Sequence, residues 1–111
     1  MRFGMGVPKP YVASRRERRV PMEVGVQILG NSSSPGKETT FTENVSSRGA
    51  RVLSSRRWSI NDKLTLITMT GSFRSVARVA YCELVPNTGF AVGLEFLEAK
   101  GNWVINENSA T

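Results

Sequence analysis

Four arginines occupy five consecutive positions near the start of the chain. They lie in Arg15-Arg16-Glu17-Arg18-Arg19, directly before the first segment with the pattern of a β-strand. A guanidinium group is permanently charged, grips a phosphate through two parallel hydrogen bonds and can stack on an aromatic base. Because this much fixed charge cannot be buried without partners, the cluster is either a solvated basic arm or half of an anion-binding site.

A second polar group follows at Asn44-Val-Ser-Ser-Arg-Gly49, where turn-forming residues interrupt a strand pattern. The Asn44 amide and the Ser46 hydroxyl supply oxygen acceptors, and Gly49 allows a positive φ or a close approach to a ligand. The segment is also typical of an Asx-type turn that ends a strand, and the two roles can coexist. If the arginines form half of an anion-binding site, this segment is the candidate for the other half.

The amino-acid composition excludes several classes of protein and site. A chain of 111 residues suits one domain, and its single cysteine excludes an intrachain disulfide and a multi-cysteine zinc site. There is no histidine, no Gly-x-Ser-x-Gly and no P-loop, so we expect neither an enzyme nor a cofactor. No run approaches the ~18–20 apolar residues of a membrane span, and the N-terminus has no continuous apolar region. We therefore expect a cytoplasmic protein without a membrane span.

The positive charge is concentrated at the N-terminus. The net charge of the chain is +6, and residues 1–19 hold six basic residues against one acidic residue, whereas the rest of the chain is nearly balanced. This asymmetry is expected if the leading arm meets an anion. By composition, we predict a flexible leader at 1–14, a single β-barrel domain at 15–105 and a frayed tail at 106–111.

Hydrophobic alternation at period two predicts an all-β fold. The predicted strands are Met22–Ile28, Lys37–Glu43, Ala50–Leu53, Lys63–Thr70, Phe73–Val85 and Phe90–Phe96. No stretch has apolar residues at helical spacing, including the chain after Glu98. About six strands with frequent turns favour a barrel or a sandwich. We expect Trp58 to tuck against this barrel and Trp103 to close one of its ends.

The two polar motifs together resemble the PilZ domain, a family of bacterial receptors for cyclic di-GMP. The resemblance rests on Arg15-x-x-x-Arg19 followed by Asn44-x-Ser46-x-x-Gly49, and it extends to about Leu97. It implies a small six-stranded antiparallel barrel behind a flexible arm. It also implies that Arg15 and Arg19 bind phosphate and guanine, that Asn44 and Ser46 hydrogen-bond a guanine, and that Gly49 shapes the turn. Auxiliary roles would fall to Arg16, Arg18 and Arg48.

Two departures from the family pattern qualify these expectations. Many PilZ domains end in a helix, whereas this sequence predicts little or no C-terminal helix. Some members carry an additional arginine before the first motif and bind a stacked pair of ligands, but this chain has Ser14 there. That serine favours one ligand per site, although Arg16 and Arg18 leave the number open. We expect ligand binding to order the arm and to present a changed surface to a downstream effector protein.

Two other classes of function remain as alternatives. A small β-barrel that binds nucleic acid is compatible with the charge, but it needs aromatic platforms on one strand face. The aromatic residues are instead scattered, at Phe41, Phe73, Tyr81, Phe90 and Phe96. Nucleic acid is therefore the less favoured partner. A PilZ-like barrel that has lost its ligand and acts as an adaptor is disfavoured by the intact motifs.

Overall fold

The computed structural model of this protein describes residues 18–32 and 35–105. All regular secondary structure in these residues is β-strand. The strands are β1 Val20–Pro21, β2 Gly25–Leu29, β3 Lys37–Ser46, β4 Gly49–Ser54, β5 Lys63–Thr68, β6 Phe73–Val85 and β7 Gly89–Gly101. The predicted leader, the first two arginines of the cluster and the predicted tail lie outside the described residues.

Six of the strands close into an antiparallel barrel, as predicted. The hydrogen-bonded order is β3-β2-β5-β6-β7-β4, and a further pairing of β3 with β4 completes the ring. The short β1 is an extra strand that continues the line of β2 along β3, with Val20 opposite Val45 and Pro21 opposite Asn44. Closing the sheet pairs most strand edges, which a small all-β domain needs. The described C-terminal region contains no helix.

The barrel interior is filled by the inward side chains of every barrel strand. Fully buried members include Val26, Ile28, Val52, Leu66 and Val79. The two tryptophans close opposite ends. Trp58 is buried and donates its indole N–H to the Ser54 hydroxyl at 3.1 Å. Trp103 packs on Phe73 and Phe96, with ring centroids 4.8 Å and 5.0 Å away, so both placements expected for the tryptophans are confirmed.

The first predicted strand, Met22–Ile28, is wrong at its start. Regular pairing begins only at Gly25, because the buried Thr42 side chain intrudes between β1 and β2. Its hydroxyl donates to the Met22 carbonyl at 2.6 Å and accepts from the Val24 N–H at 2.9 Å. These side-chain bonds replace backbone hydrogen bonds between the strands, and they hold in place the segment that connects Arg19 and β1 to β2.

The predicted interruption at Asn44 is also wrong. Strand β3 continues through Ser46, and only Ser47 and Arg48 form the turn to β4.

Strand β5 ends at Thr68, two residues earlier than predicted, ahead of a turn in which Gly71 has a φ of +80°. Strand β7 runs five residues past its predicted end at Phe96, to Gly101. Within the described residues, no helix suited to crossing a membrane occurs.

Candidate functional site

A β-bulge at Glu43 decides which way the second motif faces. Thr42 lies opposite Val52 and both are fully buried, whereas the next paired residue is Asn44, opposite Arg51. Strict alternation after Thr42 would bury Asn44 and expose Val45. The extra residue reverses this, so that Val45 enters the core and Asn44 lies half-buried on the outer side of the barrel wall. Ser46 is almost fully buried, but it lines the groove on that outer side. The bulge therefore brings both predicted ligand-binding side chains to one face.

A second bulge, at Ala80 in β6, acts in the same way. Val79 pairs with Leu94 inside the barrel, and the next pair is Tyr81 with Gly93. Without the extra residue, Tyr81 would follow Val79 into the core two positions later. The bulge instead turns its phenol to the outer face, beside Arg51.

These registers produce two rows of residues across four adjacent strands. The first row is Asn44, Arg51, Gly93 and Tyr81, and the second row is Ser46, Gly49, Glu95 and Arg78. We call these eight residues the motif face. Residues distant in sequence thus lie side by side because β3, β4, β7 and β6 are neighbours in the barrel.

Arg19 reaches this face from β1. Its Nη1 donates a 3.0 Å hydrogen bond to Oδ1 of Asn44, across 25 positions of sequence. The contact follows from the pairing of Val20 with Val45, which carries the chain past the end of β3. The structure therefore brings together the predicted residues Arg19, Asn44, Ser46 and Gly49.

Of the other arginines predicted to bind the ligand, the structure describes only Arg18 and Arg48. Arg18 and Arg48 are exposed, the latter in the turn between β3 and β4. Arg15 and Arg16 lie outside the described residues. The ligand-binding roles assigned to all of these side chains stay predictions.

An open groove of about 180 Å³ lies over part of the motif face, and its lining does not include Asn44 or Arg51. Its lining residues are Arg19, Ser46, Arg48, Gly49, Arg78, Ala80, Tyr81, Gly93, Leu94 and Glu95. Three of them are arginines and one is a glutamate, which gives the lining a net charge of +2. This charge is opposite and equal to that of two phosphodiester groups. The groove is therefore electrostatically suited to a small dianion.

The arginines in and beside the groove differ in whether a carboxylate forms an ion pair with them. Arg51 donates to Glu43 at 2.8 Å, to the Tyr81 hydroxyl at 3.1 Å and to Glu83 at 3.2 Å. The bond to Glu43 and then the bond to Tyr81 raise the pKa of Arg51 above the ordinary arginine value. These contacts hold Arg51 in place as a structural cation.

Arg78 is similarly held, by Glu95 at 2.8 Å and by Asn61 at 2.8 Å. In contrast, within residues 18–32 and 35–105 no carboxylate lies within ion-pair distance of Arg19. Its partner Asn44 is neutral, so the charge of Arg19 is available to an anionic ligand.

Of the two roles predicted for Gly49, a positive φ or a close approach to a ligand, the positive φ is wrong, and the backbone shows another reason for a glycine here. A β-carbon at position 49 would overlap the carbonyl oxygen of Leu94 on the neighbouring strand. Its role in this fold is therefore to allow close contact between β4 and β7. Gly93 is also needed for close packing, because a β-carbon there would overlap the Tyr81 ring of β6.

Ser46 combines a turn role with a place in the groove. Its hydroxyl accepts the Arg48 N–H at 3.3 Å, which is the short-range turn bond expected of serine. This bond uses one lone pair, so the hydroxyl keeps its own donor and a second lone pair. The Ser46 carbonyl accepts the Trp103 indole N–H at 2.7 Å, which ties the motif to the closed end of the barrel.

Sequence reasoning missed Arg51, Arg78, Tyr81 and Glu95 as members of this face. Bulges and cross-strand registers assemble them, and neither is readable from alternation alone. One usable signal was Gly93, since a glycine inside an apolar strand often marks close approach of another group.

The comparison with known families agrees with this fold and this arrangement of motifs. The family model of the PilZ domain matches residues 13–102, most of the chain. The chain belongs to the PilZ domain family, whose members are receptors for cyclic di-GMP and typically act as binding or adaptor domains rather than as enzymes. No curated protein matches the chain.

Proposed function

We propose that this protein binds cyclic di-GMP between its N-terminal arm and the motif face, and that the complex signals to a partner protein. The observation that carries the proposal is the 3.0 Å bond between Arg19 and Asn44. It joins the two sequence motifs of the family at one place on the barrel. Family membership supplies the class of ligand.

The groove, together with Asn44, the hydrogen-bond partner of Arg19, offers complementary groups to each part of this ligand. Arg19, and Arg15 four positions before it in the sequence, pair with phosphate and with the N7 and O6 acceptors of guanine. Asn44 and Ser46 accept hydrogen bonds from the N–H donors on the opposite guanine edge. The Tyr81 ring, at the far end of the same row, provides a surface on which a base can stack.

Ligand binding rearranges the Arg19–Asn44 pair. Arg19 donates to Asn44 Oδ1, an acceptor that the guanine N–H groups also require. The incoming phosphates supply Arg19 with a stronger, charged acceptor, which releases Oδ1 to the base. The arm then closes over the ligand, and this closure is the conformational change that a partner reads.

The energies of these contacts are sufficient. A hydrogen bond to a charged group contributes about 1.5–3 kcal/mol, so four such bonds give about 6–12 kcal/mol before the cost of association and of ordering the arm. With base stacking added, an affinity near micromolar, about −8 kcal/mol, is reached. No covalent bond changes, so the output is a surface for a cytoplasmic effector.

Isothermal titration calorimetry against cyclic di-GMP tests the proposal, with GTP and single-stranded DNA as comparison ligands. We expect cyclic di-GMP to bind near micromolar affinity at one ligand per site, as Ser14 favours, and with a shallow dependence on salt. Binding of DNA with a steep loss of affinity as salt rises would support a nucleic-acid-binding barrel instead. Failure of cyclic di-GMP to bind would overturn the proposal.

A further inference from the structure

The second half of β7 presents an open backbone edge. Strand β4 pairs with β7 from Phe90 to Glu95, and an additional bond joins Phe96 N–H to the Arg48 carbonyl. From 97 to 101, β4 no longer pairs with β7: residues 98 to 101 pair on one side only, with β6, and Leu97 is an extra, bulged residue without a partner in β6. Within the described part of the chain, the other side of this segment has no backbone partner, and all five of its residues are exposed.

The register shows which groups point outward from this edge. The Asn102 N–H donates to the Ser72 carbonyl at 2.8 Å, which makes that position a hydrogen-bonded pair. Hydrogen-bonded and non-hydrogen-bonded pairs alternate along an antiparallel ladder. Arg74 with Lys100 is therefore the next hydrogen-bonded pair, and Ser75 with Ala99 is not. The N–H and C=O of Ala99 consequently point away from β6, toward the open side.

The charges along the edge form a symmetric pattern about Ala99. Glu98 precedes it and Lys100 follows it, on the same side of the strand. Lys100 lies opposite Arg74 in its own sheet, a like-charged cross-strand pair that is unfavourable by itself. Neither residue has a carboxylate within ion-pair distance among the described residues.

We propose that this edge pairs with the same edge of a second copy of the chain, antiparallel and centred on Ala99. The two copies of Ala99 exchange two backbone hydrogen bonds. Glu98 of each copy then lies directly opposite Lys100 of the other. Each lysine gains the carboxylate that its own sheet does not provide. The contact is self-complementary under a two-fold axis, as an isologous dimer requires.

The contact is small, so association is weak and depends on protein concentration. Sedimentation equilibrium at low salt measures it directly. We expect the apparent mass to rise from 12.2 kDa toward twice that value as concentration increases. Ala99→Pro removes the central donor without touching the ladder to β6, and it should leave the protein monomeric. Circular dichroism checks that this variant is folded.

A charge exchange tests the register without relying on the proline variant. Glu98→Lys alone and Lys100→Glu alone each place like charges opposite one another twice, and each should weaken association about tenfold. An equimolar mixture of the two variants restores opposite charges at both positions and should dimerise at least as well as the wild type. The controls are Glu23→Lys and Lys37→Glu, two exposed residues on other parts of the wall, which should have no effect.

A wild-type protein that stays at 12.2 kDa throughout the series overturns the proposal. So does a dimer that is insensitive to both charge reversals, since it would use another surface. A monomer that takes up an extended peptide at β7 would also contradict it, because the edge would then serve a different partner.

Discussion

Arg19 donates its Nη1–H to Oδ1 of Asn44 at 3.0 Å, and this is a bond between a cation and a neutral acceptor. It positions the guanidinium over the motif face without cancelling its charge. Asn44 in turn owes its outward direction to the bulge at Glu43. The pair therefore joins the basic arm to the barrel by a contact that an anionic ligand can exchange.

Asn44→Asp should sharpen the choice of base. An amide both donates and accepts, so Asn44 can pair with an adenine edge as well as with a guanine edge, whereas a carboxylate accepts only. We expect the ratio of affinities for cyclic di-GMP over cyclic di-AMP to rise about tenfold, the value of one hydrogen bond. Calorimetry with both ligands measures this ratio, with Asn102→Asp as the matched control. An unchanged ratio would show that Asn44 does not read the base.

Gly93→Ala should displace Tyr81, because the added β-carbon overlaps its ring. Overpacking of this kind costs about 1–3 kcal/mol, and the shifted phenol also leaves Arg51 without one partner. We expect a lower free energy of unfolding and weaker binding of cyclic di-GMP. In a Tyr81→Ala background the same substitution should cost far less stability. An equal cost in both backgrounds would contradict the proposed contact.

Thr42→Val should loosen the segment that positions Arg19. Valine keeps the shape of the side chain but leaves the Met22 carbonyl and the Val24 N–H without their present partner. We expect a loss of about 2 kcal/mol in the free energy of unfolding, measured by chemical denaturation, and weaker ligand binding. Thr65→Val is the control, since that hydroxyl makes no hydrogen bond within the described residues. Wild-type affinity in a destabilised Thr42→Val protein would separate this segment from ligand binding.

Arg51→Met should destabilise the protein equally at neutral and moderately alkaline pH. The raised pKa of Arg51 means that its contribution is complete below the ordinary arginine pKa and is lost only as pH rises through a still higher value. Its side chain is partly exposed, so we expect a cost of about 1 kcal/mol. Denaturation at pH 6 and pH 9 measures it, and Arg74→Met serves as an exposed control. A cost that disappears by pH 9 would be inconsistent with this assignment.

The general architecture was accessible from the sequence because apolar alternation reports which residues line a barrel. The strands around Val26, Leu66 and Val79 follow this rule, and all three side chains are fully buried. Motif spacing also indicated that Arg19 and Asn44 belong to one site. In the structure, the pairing of β1 with β3 brings these two residues into contact.

The bulges at Glu43 and Ala80 were not accessible in this way. Each adds one residue to a strand, and each inverts the inside and outside positions that follow it. Alternation therefore gives no reason to place Asn44 and Tyr81 on the same outer face. The predicted start of β2 was wrong for a related reason, because a single buried hydroxyl, that of Thr42, takes the place of backbone hydrogen bonds there.

The most direct test of the central claim is calorimetric titration of cyclic di-GMP into the wild type, Arg19→Ala and Arg74→Ala. Arg74 is an exposed arginine on another part of the wall, so its removal changes the net charge equally without touching the motif face. The account predicts near-micromolar binding for the wild type and for Arg74→Ala, and a loss of at least about tenfold for Arg19→Ala. Equal affinity in all three proteins would contradict it.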